Sequence, residues 1–97
     1  MMDDVYAPSE DVVARKIEGE TLIIPLTAGV GDLEDELYTL NPTGQAIWER
    51  LDGIKSVRAI ADELAELYGA PAEIIREDVV GLIGELSRRK IIVAKPR

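Results

Sequence analysis

The run LNPTGQAIWERLDG, from Leu40 to Gly53, allows the backbone only one course. A strand can run into Asn41 but cannot continue past it. Asn41 is a good N-cap, because its side-chain oxygen accepts an orphan amide of a first helical turn. Pro42 has no N–H and a φ already set for the first helical position. Ile47, Trp48 and Leu51 then recur at helical spacing, and Gly53 is a stop. Gly44 lies inside this helix and costs about 1 kcal/mol against alanine. A position that tolerates such a cost often has a close backbone neighbour.

The chain before this corner has strand character. VVARKI (12–17) leads through Glu18, Gly19 and Glu20 into TLIIPL (21–26), a tight turn in which Gly19 can take positive φ. Leu22, Ile24 and Leu26 alternate onto one face, read as the core face. Pro25 cannot donate to a ladder and belongs at a strand end or a bulge. TAGVGD (27–32) is a connection, and ELYTL (36–40) is a third strand with Tyr38 and Leu40 on one face. Residues 1–11 are acidic and contain Pro8, and they read as a flexible tail ahead of a single domain over 12–97.

After the corner the pattern is helical. Ser56 caps a second helix, VRAIADELAELY, whose stripe is Val57, Ile60, Ala61, Leu64 and Tyr68, and Gly69 ends it. Pro71 starts a third, over 71–90, with the stripe Ile75, Val79, Leu82, Ile83 and Leu86. Acids at its start and Arg88, Arg89 and Lys90 at its end suit the helix dipole. IIVA (91–94) is a final extended segment. Strands followed by helices indicate an α+β fold. The expected form is winged helix-turn-helix-like, a three-stranded antiparallel sheet followed by three helices.

Composition excludes much chemistry. The 97 residues contain no cysteine and no histidine, which removes thiol nucleophiles, disulfides, Cys/His zinc sites and histidine acid–base catalysis. Gly29-x-Gly31 lacks the third glycine and the βαβ context of a phosphate loop. The carboxylates of Asp62, Glu63, Glu66, Glu77 and Asp78 read as solvated helix faces. No catalytic residue, cofactor or metal site is therefore expected. The amino terminus is the opposite of a signal peptide, and no apolar run approaches the ~20 residues of a membrane span. The expectation is a soluble, cytoplasmic protein.

The net charge is −8, and it is uneven. Residues 1–53 hold twelve acids and three bases, while residues 54–97 hold seven acids and eight bases. Such a chain is a poor binder of nucleic acid, where affinity comes from counterion release by basic patches. A winged-helix DNA-binding regulator is thus disfavoured: the candidate recognition helix carries Glu73, Glu77, Asp78 and Glu85 beside few bases. A protein–protein adaptor is the remaining alternative.

One series of residues supplies a positive reading. Leu40-Asn41-x-Thr43-Gly44-x-x-Ile47-Trp48-x-x-Leu51-x-Gly53 resembles the signature of the PqqD family. Val57-x-x-Ile60-Ala61-x-x-Leu64, Asp78-Val79-x-x-Leu82-Ile83-x-x-Leu86 and Ile91-Ile92 follow in family order. The resemblance covers residues 12–94. It implies a peptide-recognition domain that binds the leader of a ribosomally made precursor peptide. Such a domain presents the leader to a modifying enzyme, often a radical S-adenosylmethionine enzyme, in pyrroloquinoline quinone synthesis or another peptide-modifying system. It implies no catalysis and a monomer or homodimer.

The leader would add as a strand beside the third strand, in a groove against the third helix. Carried onto this chain, the rail is Glu36, Leu37, Tyr38, Thr39 and Leu40. By helical spacing the wall is drawn from Ile75, Arg76, Val79, Val80, Ile83 and Ser87. Ile75 and Val80 fit either core or groove, whereas Leu82 and Leu86 read as core and Trp48 as packing.

Asp32, Glu34, Asp35 and Glu36 crowd the approach to the rail. Charges there discourage edge-to-edge aggregation, and they would also select leaders carrying lysine or arginine. Changing Glu34 and Asp35 to lysine is expected to weaken leader binding and flatten its salt dependence in calorimetric titrations. Unchanged affinity removes the selective role.

Overall fold

The computed structural model describes residues 2–26 and 38–96. In chain order the elements are β1 (Val5–Pro8), β2 (Val12–Ile17), β3 (Glu20–Pro25), β4 (Tyr38–Leu40), α1 (Pro42–Glu49), α2 (Val57–Tyr68), α3 (Ala72–Arg88) and β5 (Ile92–Lys95). The fold is α+β with three helices and two antiparallel sheets. One sheet has the order β2-β3-β4; the other pairs β1 with β5.

β2 and β3 form a two-residue hairpin. Ile17 faces Glu20, and the turn residues Glu18 and Gly19 have φ of 51° and 84°. Positive φ at both central positions is the turn whose twist matches that of the strands. Leu26 N–H donates to the Asp11 carbonyl at 2.7 Å, so alternate residues counted from Leu26 bond to β2. Pro25 turns its nitrogen the other way, beyond the last described pair with β4 and at the strand end where a proline is expected.

The core face of β3 differs from the expected one. Ile23 is 1% exposed and Thr21 6%, whereas Leu22 and Ile24 are half-buried and Leu26 is exposed. The run TLIIPL is apolar on both faces, so alternation alone leaves the phase open. A shift of one residue exchanges the faces. Ile23 is selected because it packs with Leu40, Ile47 and the helical stripes.

The helices follow their punctuation closely. Asn41 Oδ1 accepts from Gly44 N–H at 2.7 Å, and Ser56 Oγ accepts from Ala59 N–H at 3.1 Å. Gly69 caps α2 in the left-handed conformation. α1 ends earlier than Gly53, with Arg50 as its C-cap. Asp52 Oδ1 then accepts from the Ile54 and Lys55 amides at 2.9 Å each, which holds its carboxyl below the usual range. Gly53, at φ 78°, turns the chain toward α2. Val57, Ile60, Ala61 and Leu64 of α2 meet Ile75, Val79, Ile83 and Leu86 of α3 in one core, while Tyr68 stays exposed.

The expectation of a tail over residues 1–11 is corrected. Val5–Pro8 pairs with Ile92–Lys95, from Val5 opposite Lys95 to Pro8 opposite Ile92. Val5 is 6% and Tyr6 9% exposed. Gly53 N–H donates to the Tyr6 carbonyl and Val57 N–H to that of Asp4. Only two apolar side chains in an acidic stretch carry this strand, too few for a periodic signal. Consequently a second sheet accompanies the expected three-stranded one. Tyr6→Ala is expected to destabilise the fold by about 2–4 kcal/mol, as for an aromatic removed from a core. Urea denaturation checks this; a tail residue would shift stability by less than about 0.5 kcal/mol.

Candidate functional site

Among the described residues β4 is the edge strand of its sheet, with β3 on one side only. Its pairs with β3 are Thr21–Leu40, Leu22–Thr39 and Ile23–Tyr38. Since Leu22 bonds toward β2, Ile23 and Thr21 bond toward β4, and the Tyr38 and Leu40 backbones answer them. Thr39 therefore turns its N–H and C=O outward. Its side chain is exposed, while Leu40 is 2% exposed and points to the helices.

Beside this edge lies an open cleft of ≈ 270 Å³ lined by Tyr38, Thr39, Leu40, Asn41, Thr43, Gly44, Ile47, Asp78 and Leu82. Leu40 and Ile47 form its apolar floor, and Thr43 brings a hydroxyl group to one end. Gly44 matters here through its small size. A Cβ at that position would stand 3.3 Å from Leu40 Cβ and Cδ2 and 3.2 Å from Asn41 Oδ1. That is the close neighbour expected from a helical glycine.

The opposite wall belongs to α3. Asp78, Leu82, Glu85 and Arg89 succeed one another on one helical stripe. The Arg89 guanidinium lies over the Tyr38 ring, 5.0 Å from its centroid, a cation–π contact beside the cleft. Arg89 Nε donates to Glu85 Oε1 at 2.6 Å, and Arg88 also pairs with Glu85. The hydrogen bond from Arg89, with the charges of both arginines, holds the Glu85 carboxyl below its ordinary value. Asp78, exposed, is the one charged side chain among the described residues lining the cleft.

The residues expected from sequence divide into four groups. Tyr38, Thr39 and Leu40 border the cleft. Ile75, Val79 and Ile83 are 6%, 0% and 0% exposed, so as wall residues they are corrected to core. Arg76 reaches Asp62 of α2 at 3.6 Å, and Val80 packs against the core from that same margin. Both lie on the side of α3 away from Leu82, as 3.6 residues per turn requires. Glu36 and Leu37, with Asp32, Glu34 and Asp35, fall outside the described residues. Leu82, read as core, is half-buried in the cleft wall. A stripe has two margins, and periodicity does not say which one a neighbouring helix covers. Here α2 takes the margin of Arg76 and Val80, leaving that of Asp78 and Leu82 to the cleft.

Among the described residues no acidic group is gathered so as to hold a metal, and no helix is long and apolar enough to cross a membrane.

The family described as Coenzyme PQQ synthesis protein D (PqqD) matches residues 26–92. A protein of Gluconobacter oxydans (strain 621H) named PqqA binding protein is 31% identical over 58 residues, 60% of either chain. This chain thus spans less than two thirds of that relative's length. Two solved structures share the fold. TbiB1 in complex with the TbiA(beta) leader peptide superposes with a TM-score of 0.73 at 20% identity, covering 89% of this chain and 93% of that one. The solution structure of the PqqD truncation of Methylobacterium extorquens PqqCD, described as a stand-alone RiPP recognition element, gives 0.73 at 21% identity, covering 96% and 93%.

The Glu85–Arg89 bond sets a pH dependence. A carboxyl whose pKa is lowered by folding contributes stability above its ordinary value and loses it as pH falls through the depressed one. In a carboxyl-carbon NMR titration Glu85 is expected to protonate below the ordinary glutamate range. Arg89→Ala is expected to move it upward and to shift the Tyr38 ring resonances.

Proposed function

Because the chain belongs to the PqqD family, we propose that it binds the leader segment of a ribosomally synthesised precursor peptide and hands it to a modifying enzyme. The observation that carries this is the outer edge of β4, unpaired among the described residues, beside the cleft under α3. An extended peptide laid along β4 meets the outward N–H and C=O of Thr39 and continues the antiparallel sheet. Its alternate side chains enter the cleft and cover Leu40, Ile47 and Leu82. Each backbone hydrogen bond adds a net ~0.5–1.5 kcal/mol, and apolar burial adds more. Micromolar affinity, about −8 kcal/mol, is within reach once the ordering of the peptide is offset.

The relatives support the same reading: one is named for binding PqqA, and another was solved with a leader peptide. On this reading the protein is a binding domain without catalysis of its own. Its frame is winged-helix-like, with α2 and α3 in the helix-turn-helix positions. It works in the cytoplasm, as a monomer or homodimer. The enzyme it serves is of the radical S-adenosylmethionine type or another peptide modifier, in pyrroloquinoline quinone synthesis or a related system. DNA binding is disfavoured by the exposed carboxylates of Glu73, Glu77 and Asp78 on α3.

The test is an amide NMR titration of the isotope-labelled chain with leader peptides from short reading frames beside its gene. Shifts confined to β4 and to residues 78–89 of α3 are expected. Thr39→Pro removes the outward donor while leaving the pairing with β3, so it is expected to abolish those shifts with the free spectrum otherwise retained. Binding unaffected by Thr39→Pro, or shifts centred elsewhere, overturns strand addition at this edge.

A further inference from the structure

The cleft is apolar in its floor but not neutral along its length. At the Tyr38 end the guanidinium of Arg89 is matched by Glu85. Toward the other end stands Asp78, three helical turns earlier on the same stripe. Among the described residues it has no cationic partner, and it shares its end of the cleft with the half-buried Thr43. Among the described residues lining the cleft, the charge is thus one carboxylate, that of Asp78.

Resting on the peptide-binding reading above, we propose that Asp78 is a specificity-determining residue. It selects a peptide that carries lysine or arginine two positions before an apolar residue seated on Leu82. The spacing follows from two repeats. Asp78 and Leu82 are one turn apart on α3, about 6 Å along the axis at 1.5 Å per residue. Two residues of a strand advance about 6.8 Å and return to the same face. A side chain facing Asp78 is therefore followed, two residues on, by one facing Leu82.

The order follows from direction. β4 runs from Tyr38 toward Leu40, and Arg89 stands over Tyr38, so Asp78 lies toward the Leu40 end. Every described strand pair is antiparallel. A peptide that continues the pattern travels from the Leu40 end to the Tyr38 end and passes Asp78 first. The recognised pattern, read from amino to carboxyl end, is Lys/Arg-x-Φ, with Φ an aliphatic or aromatic residue. The bound peptide covers the new ion pair and lifts it above the value of a fully exposed one.

The probe is a library of random twelve-residue peptides displayed on phage and selected against the full chain and against its D78K variant. Asp78 is exposed, so the variant is expected to keep the amide spectrum of the parent. The parent is expected to enrich Lys/Arg-x-Φ, and D78K to enrich Asp or Glu at the first position. Synthetic peptides with lysine or glutamate there are expected to differ by roughly tenfold in Kd at low salt, and by less at high salt. Peptides that shift β4 amides but show no charge preference, or the same preference with D78K, overturn the role of Asp78 and leave the peptide-binding reading intact. Failure of both proteins to select any peptide that shifts β4 overturns the two together.

Discussion

The corner at Leu40, Asn41 and Gly44 is the constraint on which the rest depends. One hydrogen bond, from Gly44 N–H to Asn41 Oδ1 at 2.7 Å, ends a strand and begins a helix within two residues. It presses the glycine against Leu40, and a Cβ there would require the Leu40 and Asn41 side chains to give way by a few tenths of an ångström. The sheet edge and the first turn of α1 are thereby fixed to each other, and the cleft is the space left between that unit and α3. A second tie acts at the far side of the same helix, where Gln45 Nε2 donates to the Gly19 carbonyl at 2.8 Å. The hairpin turn and α1 are thus joined directly.

Much of this was legible in the residues. Asn41, Pro42, Ser56 and Gly69 marked helix ends because each acts locally, through a cap or a backbone conformation that the residue type itself favours. The stripes of α2 and α3 were legible because burial imposes their period. Three features were not. The phase of β3 was hidden because both faces of TLIIPL are apolar, so burial of Ile23 depends on which face the helices reach. β1 was hidden because a strand paired to the far end of the chain needs little apolar character of its own. The wall of the cleft was misplaced because the two margins of α3 are equivalent until α2 occupies one. In each case the missing information was the direction of a tertiary neighbour.

The charges of α3 acquire a division of labour from that geometry. On the α2 side Arg76 meets Asp62, and on the cleft side Glu85 holds Arg89 over Tyr38. Both arrangements spend a basic residue on an internal partner. What remains for a ligand on this helix is acidic, in a chain whose net charge is already −8. Long-range attraction and the local carboxylate thus favour the same sign of partner.

The β1–β5 pair has a consequence in time. It joins residue 5 to residue 95, the widest separation among the described strand pairs. The entropy of closing so long a loop must be met before its contacts give anything back. The hairpin, the corner and the α2–α3 pair close through short loops and can assemble first. The cleft is built almost wholly from those locally closed parts, whereas the β1–β5 sheet depends on the long closure. Fraying of that sheet would expose Tyr6 and Ile92 while leaving β4 and α3 in place, so the edge offered to a peptide can outlast the closure of the molecule around it.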